Sequence, residues 1–284
     1  MSAIPKQNDS YAQMQKSYYE AAAQNSPDAV VGYYDYHENF PYETHLLHIY
    51  GDIRRPIFAD FKSKRAFDFG CGEGRMVRRM QPFFQQVDGC DISSVMIDTA
   101  RRRTRGADFW VTDGQGVGDV PSASYDFCYN TISLQHICVF ETRDRIMQEL
   151  CRILKPDGQM TLQYIYSRNY PALPISPVRL VTPTMGVQMF RVDTHHARWF
   201  DNKVDAQSTN GSCDVVIGPY ELEAVDGYFH RYFENVDIWL HDYSIGRGGL
   251  DEQRILPETH PNAHGTDNCH PTHFIFIHCS GKKG

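Results

Sequence analysis

Apolar and polar positions along this chain fall into blocks that predict strands and helices in turn. Phe67-Asp68-Phe69 closes a buried strand and passes through a glycine-rich turn into Arg75-Met76-Val77-Arg78-Arg79-Met80, where apolar positions recur with helical spacing. Val87-Asp88-Gly89-Cys90-Asp91-Ile92 predicts a second strand with Asp91 at its tip, and Ser93 is placed to cap the helix that follows. Residues 11–23 carry a helical pattern, as do 219–229, while 236–240 and 274–279 are strand-like. Between these blocks lie two long stretches without a clear period. Residues 167–217, which include Pro171, Pro174, Pro177 and Pro183, and residues 244–272 are expected to be insertions.

The turn after Phe69 carries the chemistry. Asp68 is followed by Gly70, Gly72 and Gly74, with Cys71 and Glu73 between them. A strand-to-helix turn stripped of β-carbons lets a flat ligand lie against the backbone, with the amides at the helix start open to it. Dinucleotide-binding turns more often space glycines G-x-G-x-x-G to admit a pyrophosphate, and an acidic Asp68 beside the turn would repel one. Asp91 at the next strand tip can accept hydrogen bonds from both hydroxyls of a ribose; alone, it could equally be a helix cap. Cys71 and Cys90 suit small core positions.

These residues resemble the first two motifs of class I S-adenosylmethionine (SAM) dependent methyltransferases of the small-molecule type. Ser93, Met96 and Ile97 extend the second motif; Phe109-Trp110-Val111-Thr112-Asp113-Gly114 resembles the family's third strand and Tyr125-Asp126-Phe127-Cys128-Tyr129-Asn130 its fourth. The run from Leu150 through Pro156-Asp157-Gly158 to Met160 resembles the helix, turn and fifth strand. The resemblance implies an α/β fold: a doubly wound, mostly parallel seven-stranded sheet with an antiparallel last strand, an N-terminal helical lid (residues 1–61) and an insertion after strand 5 within a SAM-binding domain (62–284). It implies SAM as cofactor, held by Asp68, Gly70, Cys71, Gly72, Gly74, Asp91, Ile92, Met96, Asp113, Gly114, Asn130 and Gln135. His136, which follows the fourth strand, is the candidate general base, with a purely SAM-contacting role as the alternative. Tyr18 and Tyr19 in the lid are candidates to face the sulfonium through cation–π attraction. Tyr164, Tyr166, Arg168, His195 and His196 are candidates for the acceptor pocket, which the 167–217 insertion would help build.

Composition narrows the acceptor. The net charge of −7 over 284 residues argues against a phosphate-backbone footprint, and the one dense basic run, Arg101-Arg102-Arg103-Thr104-Arg105, continues a helix to its C-terminal end, where cations are favoured. A small-molecule substrate is therefore expected, with no nucleic-acid or membrane partner. The first residues lack the apolar segment of a signal peptide, and no apolar run approaches the roughly eighteen residues a spanning helix needs. Eight cysteines without a C-x-x-C pair suit reduced thiols in a cytoplasm. His260, His264, Cys269, His270 and His273 invite a zinc reading, but their loop-like spacing lacks paired ligands, so no metal is expected.

Three functions remain open from sequence. The first is methyl transfer to oxygen, nitrogen or sulfur of a small molecule. The second is other chemistry on SAM, such as cyclisation of its aminobutyl chain with release of methylthioadenosine. The third is a SAM-binding module without turnover.

Overall fold

The blocks of apolar sequence become the strands of one ten-stranded sheet with helices against it. The computed structural model describes residues 7–25, 42–49, 55–166, 178–182, 186–190, 196–202, 214–218, 221–241, 252–254 and 273–284. Helices α1 (Gln7–Asn25) and α2 (Tyr42–Leu47) precede a short antiparallel pair, β1 (His48–Ile49) with β2 (Arg55–Pro56). The alternating half follows as β3 (Arg65–Phe69), α3 (Arg75–Met80), β4 (Gln86–Asp91), α4 (Ser94–Arg103) and β5 (Phe109–Val111), then β6 (Tyr125–Asn130), α5 (Phe140–Ile153) and β7 (Leu154–Tyr166). Beyond it, β8 (Val178–Thr182) and β9 (Gly186–Phe190) form a separate hairpin. Next come β10 (His196–Ala197), β11 (Asp214–Ile217), α6 (Leu222–Phe229), β12 (Phe233–His241), β13 (Glu252–Arg254) and β14 (His273–Lys282).

Strands run in the order β13-β12-β14-β7-β6-β3-β4-β5. The run from β7 to β5 is parallel throughout, and β14 is antiparallel to both of its neighbours, β7 and β12. This is the doubly wound arrangement with an antiparallel last strand. Part of the 167–217 segment joins the sheet: β11 lies parallel to the end of β7, with Val216 opposite Ile165, and β10 pairs with β11.

Successive side chains on a strand point to opposite faces, so both faces of this sheet carry core. Phe67, Cys128, Leu162 and Tyr164 pack on one side with α5 and α6; Ala66, Phe127, Tyr129 and Phe276 pack on the other with α2, α3 and α4. Ser93 Oγ accepts from the Met96 amide at 3.3 Å, the cap that the sequence predicts for α4. Cys71, Cys90, Cys128, Cys151 and Cys279 are free and buried. Cys138 instead is disulfide-bonded, against the expectation of uniformly reduced thiols; spacing along a chain does not disclose which cysteines meet in space.

Among the described residues, no helix is long and apolar enough to cross a membrane, and no group of three or more His, Cys, Asp or Glu could hold a metal ion. Of the histidine-rich run, 260–272 lies outside the described residues.

Candidate functional site

A cavity opens where the parallel strands end, between the tips of β3 and β4, the loop after β6 and one face of α1. Its floor is the glycine turn. Gly70, Gly72 and Gly74 all take positive φ, of 73°, 52° and 82°. At Gly70 the requirement is also steric, because a β-carbon there would lie 2.0 Å from Ser133 Oγ. The amides of Gly70 and Cys71 both donate to the Cys90 carbonyl at 2.9 Å, which ties the turn to β4.

Two carboxylates stand at adjacent strand tips. Asp91 accepts from the Gly72 amide through Oδ2 and from the Ser93 amide through Oδ1, both at 2.9 Å. Burial pushes its carboxyl up, and the Ser93 and Gly72 amides oppose that shift. Asp68 is almost wholly enclosed, and its Oδ2 has no hydrogen-bond partner. Burial drives its carboxyl well above the usual carboxylate range, while the nearby Arg75 guanidinium pulls the other way.

The wall opposite comes from α1, through Tyr11, Ala12, Gln15 and Tyr19. Tyr11, Gln15 and Tyr19 recur every four residues along one face of the helix, with Ala12 beside Tyr11. Tyr11 anchors that face: its hydroxyl accepts from the Cys138 amide at 2.8 Å and from Gln15 Nε2 at 3.2 Å, and donates to the His136 carbonyl at 3.3 Å. Burial pushes the Tyr11 phenol up to about 12 and the Tyr19 phenol well above its ordinary value. Further along α1, Glu20 Oε1 accepts from Ser94 Oγ at 2.9 Å and from the Ser94 amide at 3.3 Å.

The third side is the loop after β6. His136 ends a short 3₁₀ turn (Ser133–His136) and lines the cavity. Its Nδ1 lies 2.5 Å from Asp214 Oδ1, at the start of β11. A carboxylate on Nδ1 fixes the proton there in the neutral ring and leaves Nε2 as the acceptor. Ile132, also in the lining, holds φ at 71°, an uncommon conformation for a β-branched residue.

The cavity thus brings together Asp68, Gly70, Cys71, Gly72, Asp91, Ile92, Met96, Gly114, His136 and Tyr19 of the residues the sequence proposes. The remaining five stand elsewhere. Gly74 packs α3 against α4, where a β-carbon would meet Thr104 Oγ1 at 2.8 Å. Asp113 is exposed and closes its own turn by accepting from the Gln115 amide at 2.9 Å. Asn130 is buried beneath the loop, donating to the Phe69 carbonyl at 2.7 Å and accepting from the Leu134 amide at 3.3 Å. Gln135 is buried outside the lining, and Tyr18 lies edge-on to Tyr19, with ring centroids 5.2 Å apart, on a neighbouring face of α1.

The acceptor-pocket candidates need correction. Tyr164 and Tyr166 point into the core with Trp199, because alternate positions of β7 face α5 and α6. His196 falls in β10, and Arg168 and His195 lie outside the described residues. Sequence reasoning overlooked Tyr11, Gln15, Arg75, Ser133 and Asp214. Arg75 was visible as the residue directly after the last glycine, and Tyr11 as one turn-repeat ahead of Gln15 and Tyr19. Nothing in the sequence pointed to Asp214, 78 positions from His136.

Comparison with known proteins bears on this geometry. Residues 67–162 match the family model described as a methyltransferase domain. The chain is 34% identical over 100 residues to the tRNA (carboxymethyluridine(34)-5-O)-methyltransferase ALKBH8 of Mus musculus, a match covering 35% of this chain and 14% of that protein. It is 27% identical over 117 residues to the probable S-adenosylmethionine-dependent methyltransferase CRG1 of Saccharomyces cerevisiae, covering 39% of each. The chain therefore spans well under two thirds of these relatives' lengths. Among solved structures, that of the YcgJ protein from Bacillus subtilis aligns over 80% of this chain and 95% of its own, at 16% identity and a TM-score of 0.45.

Proposed function

We propose that the protein, whose residues 67–162 match a methyltransferase domain, transfers the methyl group of SAM to a small-molecule acceptor. The observation that carries this reading is the pairing of Asp68 and Asp91 across the glycine turn, with His136 held by Asp214 at the facing rim. The residues fit the cofactor. The orphaned Oδ2 of Asp68 suits an ammonium, Asp91 suits two ribose hydroxyls, and the glycine turn leaves open the space that β-carbons would fill.

When bound, SAM supplies a methyl on a sulfonium, so that an acceptor lone pair forms the new bond to carbon while the carbon–sulfur pair stays on sulfur. The chain's own part is chiefly placement, since in-line displacement rewards proximity and alignment. The face of α1 that carries Tyr11 and Tyr19 covers the cavity, and in this reading residues 1–61 serve as its lid. Tyr19 offers a π-face to the sulfonium. His136 Nε2 takes the proton of an acceptor that arrives protonated, and Asp214 stabilises the imidazolium that results.

A small acceptor is favoured over RNA by what the basic run does. Arg101 donates to the Phe109 carbonyl at 2.8 Å, Arg102 to Thr99 at 2.8 Å and Arg103 to Glu73 at 3.2 Å, so these cations are engaged within the chain. The net charge of −7 also disfavours a phosphate backbone as partner.

The test is incubation of purified protein with SAM and pooled metabolites, with products read by mass spectrometry. S-adenosylhomocysteine that forms only with metabolites, together with one metabolite heavier by a methyl, is the expected result. Methylthioadenosine formed from SAM alone, above the spontaneous rate, would overturn methyl transfer.

A further inference from the structure

One charge in the cavity wall has no use in the mechanism above. Arg75, the first residue of α3, lines the cavity beside Asp68, with its guanidinium 5.8 Å from the centre of the Tyr42 ring and the Tyr42 phenol within hydrogen-bonding reach. Its Nε and Nη1 are both buried and have no hydrogen-bond partner. The neighbouring arginines are all paired. Arg78 grips both oxygens of Glu73 at 2.8 Å, and Arg79 grips Glu43 at 2.5 and 2.6 Å.

A buried guanidinium with donors unmet is costly, and it persists where something else completes it. Asp68 does not, since its own Oδ2 is also without a partner. The wall therefore offers unmet guanidinium donors and an unmet carboxyl oxygen side by side. Beside Asp68 a phosphate would bring up to two negative charges; a carboxylate brings one, on a planar pair of oxygens that suits a guanidinium.

We propose that Arg75 is the carboxylate-binding residue of this cavity, its unmet donors turned to a carboxylate of the bound ligands. The group has two chemical sources, the α-carboxylate of SAM or a carboxylate on the acceptor. The inference rests on the SAM reading above only for the first.

Isothermal titration of wild type and Arg75→Gln separates them. SAM and decarboxylated SAM differ by the group in question. If the source is SAM, wild type binds SAM at least tenfold more tightly than the decarboxylated compound, and in Arg75→Gln the preference falls to twofold or less. If the source is the acceptor, SAM affinity is the same in both proteins, while benzoate, titrated with and without S-adenosylhomocysteine, binds wild type and weakens at least tenfold in the variant. Should both preferences be untouched by the substitution, the proposal is overturned. Wild type that binds neither SAM compound would sink the SAM reading by itself, and the cofactor-free benzoate titration would still decide Arg75. If Arg75→Gln does not fold, Arg75→Lys keeps the charge but loses the planar donors: several-fold weaker binding is expected, and unchanged binding overturns the assignment.

Discussion

The imidazole of His136 is aimed by one carboxylate, a contact that the proposed general-base role would use. With Nδ1 bonded to Asp214 at 2.5 Å, the ring is fixed and Nε2 is the free acceptor. Asp214→Asn keeps the size of the side chain but removes the charge that stabilises the imidazolium. For an acceptor that must lose a proton, kcat is expected to fall by about ten- to a hundredfold, in line with typical general-base contributions. Binding of SAM should stay unchanged. Steady-state kinetics across pH 5–9 checks this: the loss should be largest where His136 is the working base, and an unaltered pH profile in Asp214→Asn would assign His136 to positioning alone.

Helix α1 shows what sequence can tell about an element and where it stops. Its existence was legible from the helical pattern of residues 11–23, and it spans Gln7–Asn25. Which tyrosines face the cavity was legible too, had the period been followed. Tyr11, Gln15 and Tyr19 recur every four residues, while Tyr18 is turned about 100° from Tyr19. The partners of α1 were not legible, because Tyr11 bonds to residues 125 and 127 positions away. That bonding makes Tyr11 the tie between α1, in the proposed lid, and the loop after β6. Tyr11→Phe leaves the buried Cys138 amide without its acceptor, a loss of about 1–3 kcal/mol. Protease cleavage within α1 should accelerate while the sheet remains protected, and urea unfolding should report the destabilisation; equal cleavage rates in variant and wild type would detach the lid from the loop.

Across the whole molecule, the parallel half of the sheet was legible because its short buried strands alternate with helical patterns, and β3 and β4 end in turns with their own chemistry. Asp91 and the three glycines announce their places. The outer half was less so: β11 carries a short β-branched run, Val215-Val216-Ile217, but its place comes from pairing with the end of β7, which the sequence does not disclose. The seam where β14 meets β7 also contains a buried group that responds to acid. His278 is buried, its Nδ1 lies 2.9 Å from Thr161 Oγ1, and burial lowers its pKa to about 3 from the ordinary 6.5, with Arg55 acting in the same direction. A histidine whose folded value lies below its unfolded value takes up its proton first in the unfolded chain. Its contribution is therefore present above pH 6.5 and is lost as pH falls toward 3. Between pH 6.5 and 5 that loss amounts to about 2 kcal/mol, at roughly 1.4 kcal/mol per unit. Asp68 and Asp91, raised by burial, act in the opposite sense, so the net curve of the wild type does not isolate the histidine. The difference between wild type and His278→Asn does. Urea unfolding at pH 7 and pH 5 should show the variant losing about 2 kcal/mol less than wild type over that interval, whatever its stability at pH 7. Equal losses in the two proteins would mean that water reaches His278 and that the β14–β7 seam opens far below the cost of global unfolding.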